Sequence, residues 1–255
     1  MKKKIIWVHG TKGGIGKSLM ACVTVDYLMQ RYGNGSVAII EGDGSVPDVQ
    51  RRFGDSLPSL LSPLNDKKSV YSMLEGIEDA STTNITHIVV NLPANAELLD
   101  SVAGDVKCVT DELGYTNHVM FMISESADSA ELAGKSTDKG LISISDSAVA
   151  VINKHFGENA ESFSWFSSGM RDRFMASETH AECIFNSLQE RVKSHDKFLQ
   201  GELSRLAASD SPLKVVDRIV LRRWLSDSYE IVNKVLTLGD PRQHQSESEQ
   251  GEHSH

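Results

Sequence analysis

The chain has 255 residues, of which 40% are hydrophobic, and a formal net charge of −9. This length and apolar content suffice for the core of one α/β domain, whereas the acidity argues against a generally basic nucleic-acid surface, so any DNA contact must be local. Three cysteines without paired spacing indicate neither a disulfide framework nor a zinc site, and no run reaches the roughly 18 apolar residues of a membrane span, so a cytoplasmic protein is expected.

The first predicted elements are a strand over residues 4–8, a glycine-rich loop and a helix over residues 17–32. Such a loop points successive N–H groups inward, and the helix N-terminus adds partial positive charge at the same place, which favours a phosphate group. We expect Lys17 to reach the β- and γ-phosphates and the Ser18 hydroxyl to ligate Mg²⁺. The remaining predicted nucleotide-binding residues of the loop are Gly13, Gly14, Ile15 and Gly16.

The loop departs from the ordinary motif G-x-x-x-x-G-K-[ST], because Thr11 stands where that motif needs glycine. The variant K-G-G-x-G-K-[ST] fits throughout and adds Lys12 at the loop entrance. In this motif the chain resembles the ParA/MinD superfamily of P-loop ATPases. The resemblance implies a doubly wound, mostly parallel α/β sheet flanked by helices, ATP as the nucleotide, and an ATP-bound homodimer in which Lys12 contacts the phosphates of the partner subunit.

A second buried strand is predicted over residues 36–40, followed by Glu41 and Asp43. Parallel α/β sheets bind ligands at the carboxyl ends of their strands. In the superfamily this strand ends in an acidic-x-Asp pair, so the resemblance places Asp43 in switch I, near the Mg²⁺ and the attacking water. Glu41 stands where aspartate is usual. A turn residue between two glycines is the alternative interpretation of Asp43.

Residues 45–67, rich in Pro and Ser, predict a long irregular connection. A helix over 68–80 and a strand over 85–90 follow, and the strand leads into Asn91. The superfamily usually has an aspartate there, at the Walker B position, where it holds a Mg²⁺-bound water. An amide oxygen can accept the same hydrogen bond but brings no negative charge. We therefore expect nucleotide binding with slow hydrolysis, and a faster rate when Asn91 is replaced by aspartate.

The second half of the chain continues the alternation, which predicts about six strands in all. The predicted elements are helices over 96–102, 189–208 and 215–238, a polar helix or loop over 127–139, and strands over 119–123, 149–152 and 183–188. Asn153 follows the 149–152 strand. The resemblance implies that it contacts adenine, whereas a cap on the strand end is the alternative.

Two groups of residues are candidates for contact with nucleic acid. The aromatic segment 162–166, followed by Arg171 and Arg173, has residue types that stack on bases, although a plug at the edge of the core is the simpler interpretation. The last helix carries three arginines on its polar side, which favours a local patch for non-specific DNA, although a solvated helix face explains them equally well. These arginines are Arg218, Arg222 and Arg223.

Residues 239–255 contain no Val, Ile, Leu or aromatic residue, so we predict a disordered polar tail after an ATPase domain over 1–238. This polar end argues against a MinD-type membrane helix. The changes at Glu41 and Asn91 resemble the plasmid-borne StbB, TraL and MobD group, associated with plasmid stability and conjugation.

That resemblance implies a cytoplasmic or nucleoid-associated switch that dimerises with ATP and works through a plasmid-encoded DNA-binding adaptor protein. A non-hydrolysing, nucleotide-bound scaffold of the conjugation machinery and a metabolic P-loop ligase remain as alternatives.

Overall fold

The computed structural model describes residues 2–10, 12–94 and 97–238. Its strands are β1 (Lys3–His9), β2 (Val37–Glu41), β3 (Ser59–Leu61), β4 (His87–Asn91), β5 (Tyr115–Ile123), β6 (Ser147–Asn153) and β7 (His180–Phe185). They form one seven-stranded sheet in the order β3-β2-β4-β1-β5-β6-β7. Every neighbouring pair is parallel. The predicted doubly wound parallel architecture is therefore confirmed, with β1 in the middle of the sheet.

Helices cover both faces of the sheet. They are α1 (Lys17–Tyr32), α2 (Asp48–Phe53), α3 (Lys67–Ser81), α4 (Glu97–Ser101), α5 (Ala103–Glu112), α6 (Ala127–Lys139), α7 (Ser164–Ser167), α8 (Gly169–Met175), α9 (Glu190–Lys193), α10 (Leu203–Leu206) and α11 (Val215–Thr237). Side chains of β1 alternate between two cores: Ile6 and Val8 belong to the core that contains α1 and α11, and Trp7 belongs to the core that contains α3 and α5. This double coverage explains why the strands are apolar at nearly every position.

The predicted strand, loop and helix at the start of the chain are confirmed. β1 ends at His9 and α1 begins at Lys17, so the intervening loop lies at the carboxyl edge of the sheet. Gly33 ends α1 with φ 81°, a positive φ that glycine adopts without steric cost.

The prediction for residues 45–67 is wrong, because this segment contains α2 and β3. The three residues of β3 pair with β2, with Ile40 opposite Leu60, and this makes β3 the edge of the sheet. A strand this short has no periodicity of its own in the sequence, so only its pairing reveals it. The helix predicted over 96–102 is also incomplete, since α5 continues it to Glu112.

The continuous helix predicted over 189–208 is wrong as well. Two short helices, α9 and α10, occupy the segment, and Gly201 between them has φ 59°. The buried side chain of Asp26 on α1 accepts hydrogen bonds from the backbone N–H of Ser204 at 2.9 Å and from its hydroxyl at 2.8 Å. A tertiary contact therefore starts a new helix where local propensity favours continuation.

Helix α11 confirms the predicted last helix, and one of its faces packs on the core. Trp224, Ile231 and Val235 are buried on that face. Val216 and Ile219 are 57% and 49% exposed, because they lie on the side of α11 opposite to the buried Asp217 and Leu221. No helix in the described ranges is long and apolar enough to cross a membrane.

The aromatic segment 162–166 forms part of the core. Phe163 and Trp165 are buried, and the Trp165 indole N–H donates to a Glu182 carboxylate oxygen at 3.2 Å. The Arg171 guanidinium binds the same carboxylate through two hydrogen bonds, at 2.9 Å and 2.7 Å. The interpretation as a core plug is confirmed, since Phe163 and Trp165 offer no open face to a base. The predicted disordered tail, 239–255, lies outside the described residues.

Candidate nucleotide site

The predicted loop and the predicted acidic residues meet at the carboxyl edge of the sheet. A cavity of about 480 Å³ opens there. Of the predicted site residues, those lining it are Gly13, Gly14, Gly16, Lys17, Ser18 and Asp43. β2 and β4 end side by side, with Glu41 in register with Asn91. The fold therefore brings together residues that are far apart in the sequence, at the edge where sheets of this type bind ligands.

The loop depends on glycine at particular positions. Gly14 and Gly16 have φ 80° and 95°, a region that favours glycine over other residues. A Cβ atom on Gly16 would also lie 2.6 Å from Nδ2 of Asn153. As the N-cap of α1, Gly16 has no side chain to occupy the helix N-terminus, so that positive end remains open to an anion.

The two loop lysines point to different places. The Lys17 side chain is buried, and its Nζ donates to the carbonyl oxygen of Lys12 at 2.8 Å. Burial lowers the Lys17 pKa to about 8, although the nearby Asp43 carboxylate opposes that shift. The Lys12 ammonium lies outside, 3.1 Å from a carboxylate oxygen of Asp128, and both of these side chains are more than half exposed, at 52% and 66%. Lys17 is thus the cavity lysine, and Lys12 is available at the surface.

Glu41 and Asn91 form a buried hydrogen-bonded pair at the strand ends. The Asn91 Nδ2 donates to Oε1 of Glu41 at 2.7 Å and lies 3.4 Å from the Ser18 hydroxyl oxygen. Glu41 is 0% exposed and Asn91 1%. Because a carboxylate accepts hydrogen bonds, the atom of the Asn91 amide that faces Glu41 is assigned as the nitrogen. Oδ1 of Asn91 is buried and has no hydrogen-bond partner in the described part of the chain.

Glu41 is the residue of the candidate site whose contacts the sequence did not predict. Besides the Asn91 amide, its carboxylate accepts the backbone N–H of Asp43 and that of Val49 in α2, each at 3.1 Å. Burial raises the Glu41 pKa, and these hydrogen bonds work against that shift. The sequence signal was the acidic-x-Asp pattern itself, which marks the position but not its partners.

Asp43 both lines the cavity and holds a turn. Its Oδ1 accepts the Ser45 N–H at 3.0 Å, the Ser45 hydroxyl at 2.6 Å and the Val46 N–H at 3.1 Å. Burial alone would raise the Asp43 pKa, but these hydrogen bonds and the Lys17 charge outweigh it and bring the pKa below its ordinary value. The turn interpretation therefore describes the local geometry correctly, and it leaves the carboxylate at the cavity.

Asn153 lies beneath the loop. Its Nδ2 donates to the Ile15 carbonyl oxygen at 2.9 Å, and its Oδ1 accepts the His155 N–H at 3.0 Å. The side chain is buried, so both ends of the amide are engaged within the protein. This matches the structural alternative for Asn153, and contact with adenine stays a prediction.

A second pair that the sequence did not mark connects the loop to α4. Nε2 of His9 lies 3.3 Å from a carboxylate oxygen of Asp100, and Nδ1 of His9 accepts the Gly10 N–H at 2.8 Å. The other oxygen of Asp100 accepts the Leu141 N–H at 2.8 Å and the Ser136 hydroxyl at 3.0 Å. The position of His9 directly before the glycine loop could have marked it as a residue of the site. Nothing in the sequence singles out Asp100.

A wider cavity of about 700 Å³ adjoins the first. Asp43, Ser45 and Ala94 line both cavities. The rest of its wall includes Pro63 and Leu64, before α3, and Pro93, after β4. The Asp43 carboxylate therefore stands between the loop cavity and a space open to a further group.

The parallel sheet and the glycine loop after its central strand have the architecture of a P-loop nucleoside triphosphatase. No family model matches the chain. It is 29% identical over 239 residues to protein MobD of Acidithiobacillus ferrooxidans, an alignment that covers 92% of this chain and 99% of MobD. This similarity confirms the predicted resemblance to the MobD-like group.

Two solved structures have lower similarity. A plasmid partition protein from Borrelia burgdorferi has 17% identity and a TM-score of 0.44, with coverage of 92% of this chain and 99% of that protein. The hydrogenase maturation factor HypB from Archaeoglobus fulgidus has 17% identity and a TM-score of 0.39, with coverage of 72% and 81%. At these scores neither structure informs the function of this chain.

Proposed function

We propose that this chain is an ATP-binding switch that dimerises with ATP, hydrolyses it slowly, and acts in plasmid partition, plasmid stability or conjugative transfer. The observation that carries the proposal is that the two loop lysines lie in different environments. Lys17 is buried at the loop cavity, whereas Lys12, in the same loop, has an exposed ammonium directed away from it. A site for one nucleotide in one subunit requires only the first of them.

Several features support binding of a triphosphate at the loop. The helix N-terminus and the Lys17 ammonium both place positive charge at the cavity. Because the Lys17 side chain is desolvated, a phosphate oxygen would replace the Lys12 carbonyl with a stronger, charge-assisted partner. ATP is proposed over other nucleotides on the resemblance of the loop motif alone.

The residues at the cavity fit Mg²⁺. Ser18 and Asp43 offer a hydroxyl and a carboxylate, the oxygen donors that this ion prefers. The unpartnered Oδ1 of Asn91 is a buried acceptor without a donor, and a metal-bound water is a donor of the right kind. When bound, the ion would neutralise charge on the transferring phosphoryl group. The chain itself would orient the phosphates through the loop N–H groups and Lys17. Asp43 would orient the water that attacks the terminal phosphate.

Dimerisation is proposed to use Lys12. Its ion pair with Asp128 is between exposed side chains, and such pairs are weak, so phosphates of a second subunit would compete well for the ammonium. The wider cavity beside Asp43 leaves space for the partner subunit next to the nucleotide.

The plasmid role rests on the MobD relative and the motif resemblance, and a cytoplasmic location, near nucleoid DNA, suits it. We propose that a DNA-binding adaptor protein makes the main contact with DNA. Arg218 donates to the carbonyl oxygen of Ser209 at 2.6 Å, and Arg222 donates to that of Ala207 at 2.7 Å. Both side chains therefore hold the loop that precedes α11. Arg223 remains exposed as a candidate for direct, non-specific contact.

A second candidate function is a nucleotide-bound scaffold of the conjugation machinery that does not hydrolyse ATP. The position of Asn91 favours it, because the group that β4 directs at the Ser18 hydroxyl is an amide nitrogen, at 3.4 Å, where an aspartate would bring a carboxylate. Phosphate release at saturating Mg²⁺–ATP separates the two candidates: turnover in the wild type that disappears in Asp43→Ala supports the switch, and none in either protein supports the scaffold.

The dimer is tested by light scattering of the wild type without nucleotide, with ADP and with ATP. We expect dimers with ATP only, and monomers under all three conditions for Lys12→Ala. Lys135→Ala, which removes an exposed lysine of α6, is the matched control and should dimerise normally. Dimerisation of Lys12→Ala equal to that of the wild type would refute the role of Lys12.

A further inference from the structure

The carboxylate of Glu41 joins three parts of the nucleotide site. One oxygen holds the Asn91 amide of β4 and the Asp43 backbone N–H, and the other holds the Val49 N–H at the start of α2. These contacts connect the carboxyl ends of two neighbouring strands to the turn that carries Asp43. Because Glu41 is fully buried, it has no water to replace any of these partners.

Asn91 complements Glu41 as a hydrogen-bond donor. The two residues are in register on adjacent parallel strands, and Nδ2 of Asn91 lies 2.7 Å from Oε1 of Glu41. An aspartate at position 91 would replace this donor with a second acceptor, so the buried Glu41 carboxylate would lose a hydrogen bond. The amide at position 91 therefore suits the glutamate beside it.

We propose that Glu41 is a positioning residue of the nucleotide site, with Asn91 as its matched hydrogen-bond donor. Glu41 holds the Asn91 amide against Ser18 and holds the Asp43 turn at the cavity. This inference rests on the proposed nucleotide site. It adds a cost in stability to the expected effect of aspartate at position 91.

The pairing is tested first by thermal unfolding without nucleotide, for Asn91→Asp, Glu41→Gln and the double variant. Asn91→Asp should lower Tm by at least about 5 °C, since it buries two carboxylates together. The double variant should have a higher Tm than Asn91→Asp. It again pairs one amide with one carboxylate, with the amide now at position 41 and the carboxylate at position 91. Asn65→Asp makes the same chemical change at an exposed position on the neighbouring cavity and should leave Tm unchanged.

The positioning role is tested next by calorimetric titration of ATP in Mg²⁺ and in EDTA. For Glu41→Gln we expect near-normal affinity in EDTA, because the loop is intact, and a Mg²⁺-dependent gain in affinity that is about tenfold smaller. A purely structural role for Glu41 would lower both affinities together.

The proposal is overturned if Asn91→Asp melts like the wild type, if the double variant melts no higher than Asn91→Asp, or if Glu41→Gln keeps the full gain with Mg²⁺. Failure of the proposed function itself looks different. In that case the wild type binds no ATP at all, while the melting temperatures still report the pairing.

Discussion

The amide of Asn153, at the end of β6, donates a hydrogen bond to the carbonyl oxygen of Ile15, in the middle of the glycine loop, at 2.9 Å. The backbone of that loop is the proposed phosphate site, so its shape depends on a side chain 138 residues away in sequence. We therefore expect Asn153 to affect nucleotide binding by supporting the loop, whether or not it also contacts the base.

Asn153→Ala distinguishes support of the loop from recognition of adenine. Loss of a buried hydrogen bond costs about 1–3 kcal/mol, so we expect nucleotide affinity to fall about tenfold or more. If Asn153 supports the loop, ATP and GTP affinities fall by the same factor in calorimetric titrations. A selective loss of ATP affinity would instead assign the side chain to the adenine base.

Lys17→Ala should abolish or strongly weaken ATP binding. The substitution removes a buried ammonium, and charge-assisted hydrogen bonds to phosphate are among the stronger polar contacts. Calorimetric titration should show a loss of at least about 100-fold, equivalent to about 2.7 kcal/mol. Lys12→Ala is the comparison, since its ammonium lies outside the cavity and monomer affinity should change little. Equal affinity in Lys17→Ala and the wild type would refute the site.

Gly16→Ala should destabilise the protein even without nucleotide. The substitution forces a side chain into φ 95° and brings its Cβ within 2.6 Å of the Asn153 amide nitrogen. We expect a cost of about 1–3 kcal/mol, and about 2–4 °C in Tm for each kcal/mol. Gly13→Ala is the matched control, because a Cβ there meets no atom within 4 Å. If both variants melt alike, the conformation of Gly16 is not the source of the effect.

Two buried histidines should each lower the stability of the fold as the pH falls from 7 to 5. Burial lowers the pKa of His87 to about 4 and that of His118 to about 3. The unfolded chain binds these protons near pH 6.5 and the folded chain does not, so acid favours unfolding. Each histidine should cost about 2 kcal/mol at pH 5.

Melting temperatures across this range check the pH dependence. His87→Phe can keep the stacking on Tyr32 and removes one titrating group, so its slope should be shallower. His155→Phe changes an exposed histidine and should keep the wild-type slope. An unchanged slope in His87→Phe would show that His87 does not contribute.

The glycine loop could be predicted from the sequence because its chemistry depends on residues that are neighbours in the chain. The spacing of Lys12, Lys17 and the glycines defines the turn and the helix start wherever the loop lies in the fold. The long apolar strands and α11 were predictable for a similar reason, since periodicity and composition are local properties.

The tertiary structure alone decided the partners of the side chains at the site. Glu41 and Asn91 are 50 residues apart, and they meet because β2 and β4 pair in a particular register at the same sheet edge. That register is fixed by packing on both faces of the sheet, to which the whole domain contributes. The short strand β3 and the interrupted segment after β7 escaped prediction for the same physical reason, because contacts from distant parts of the chain outweighed weak local preferences.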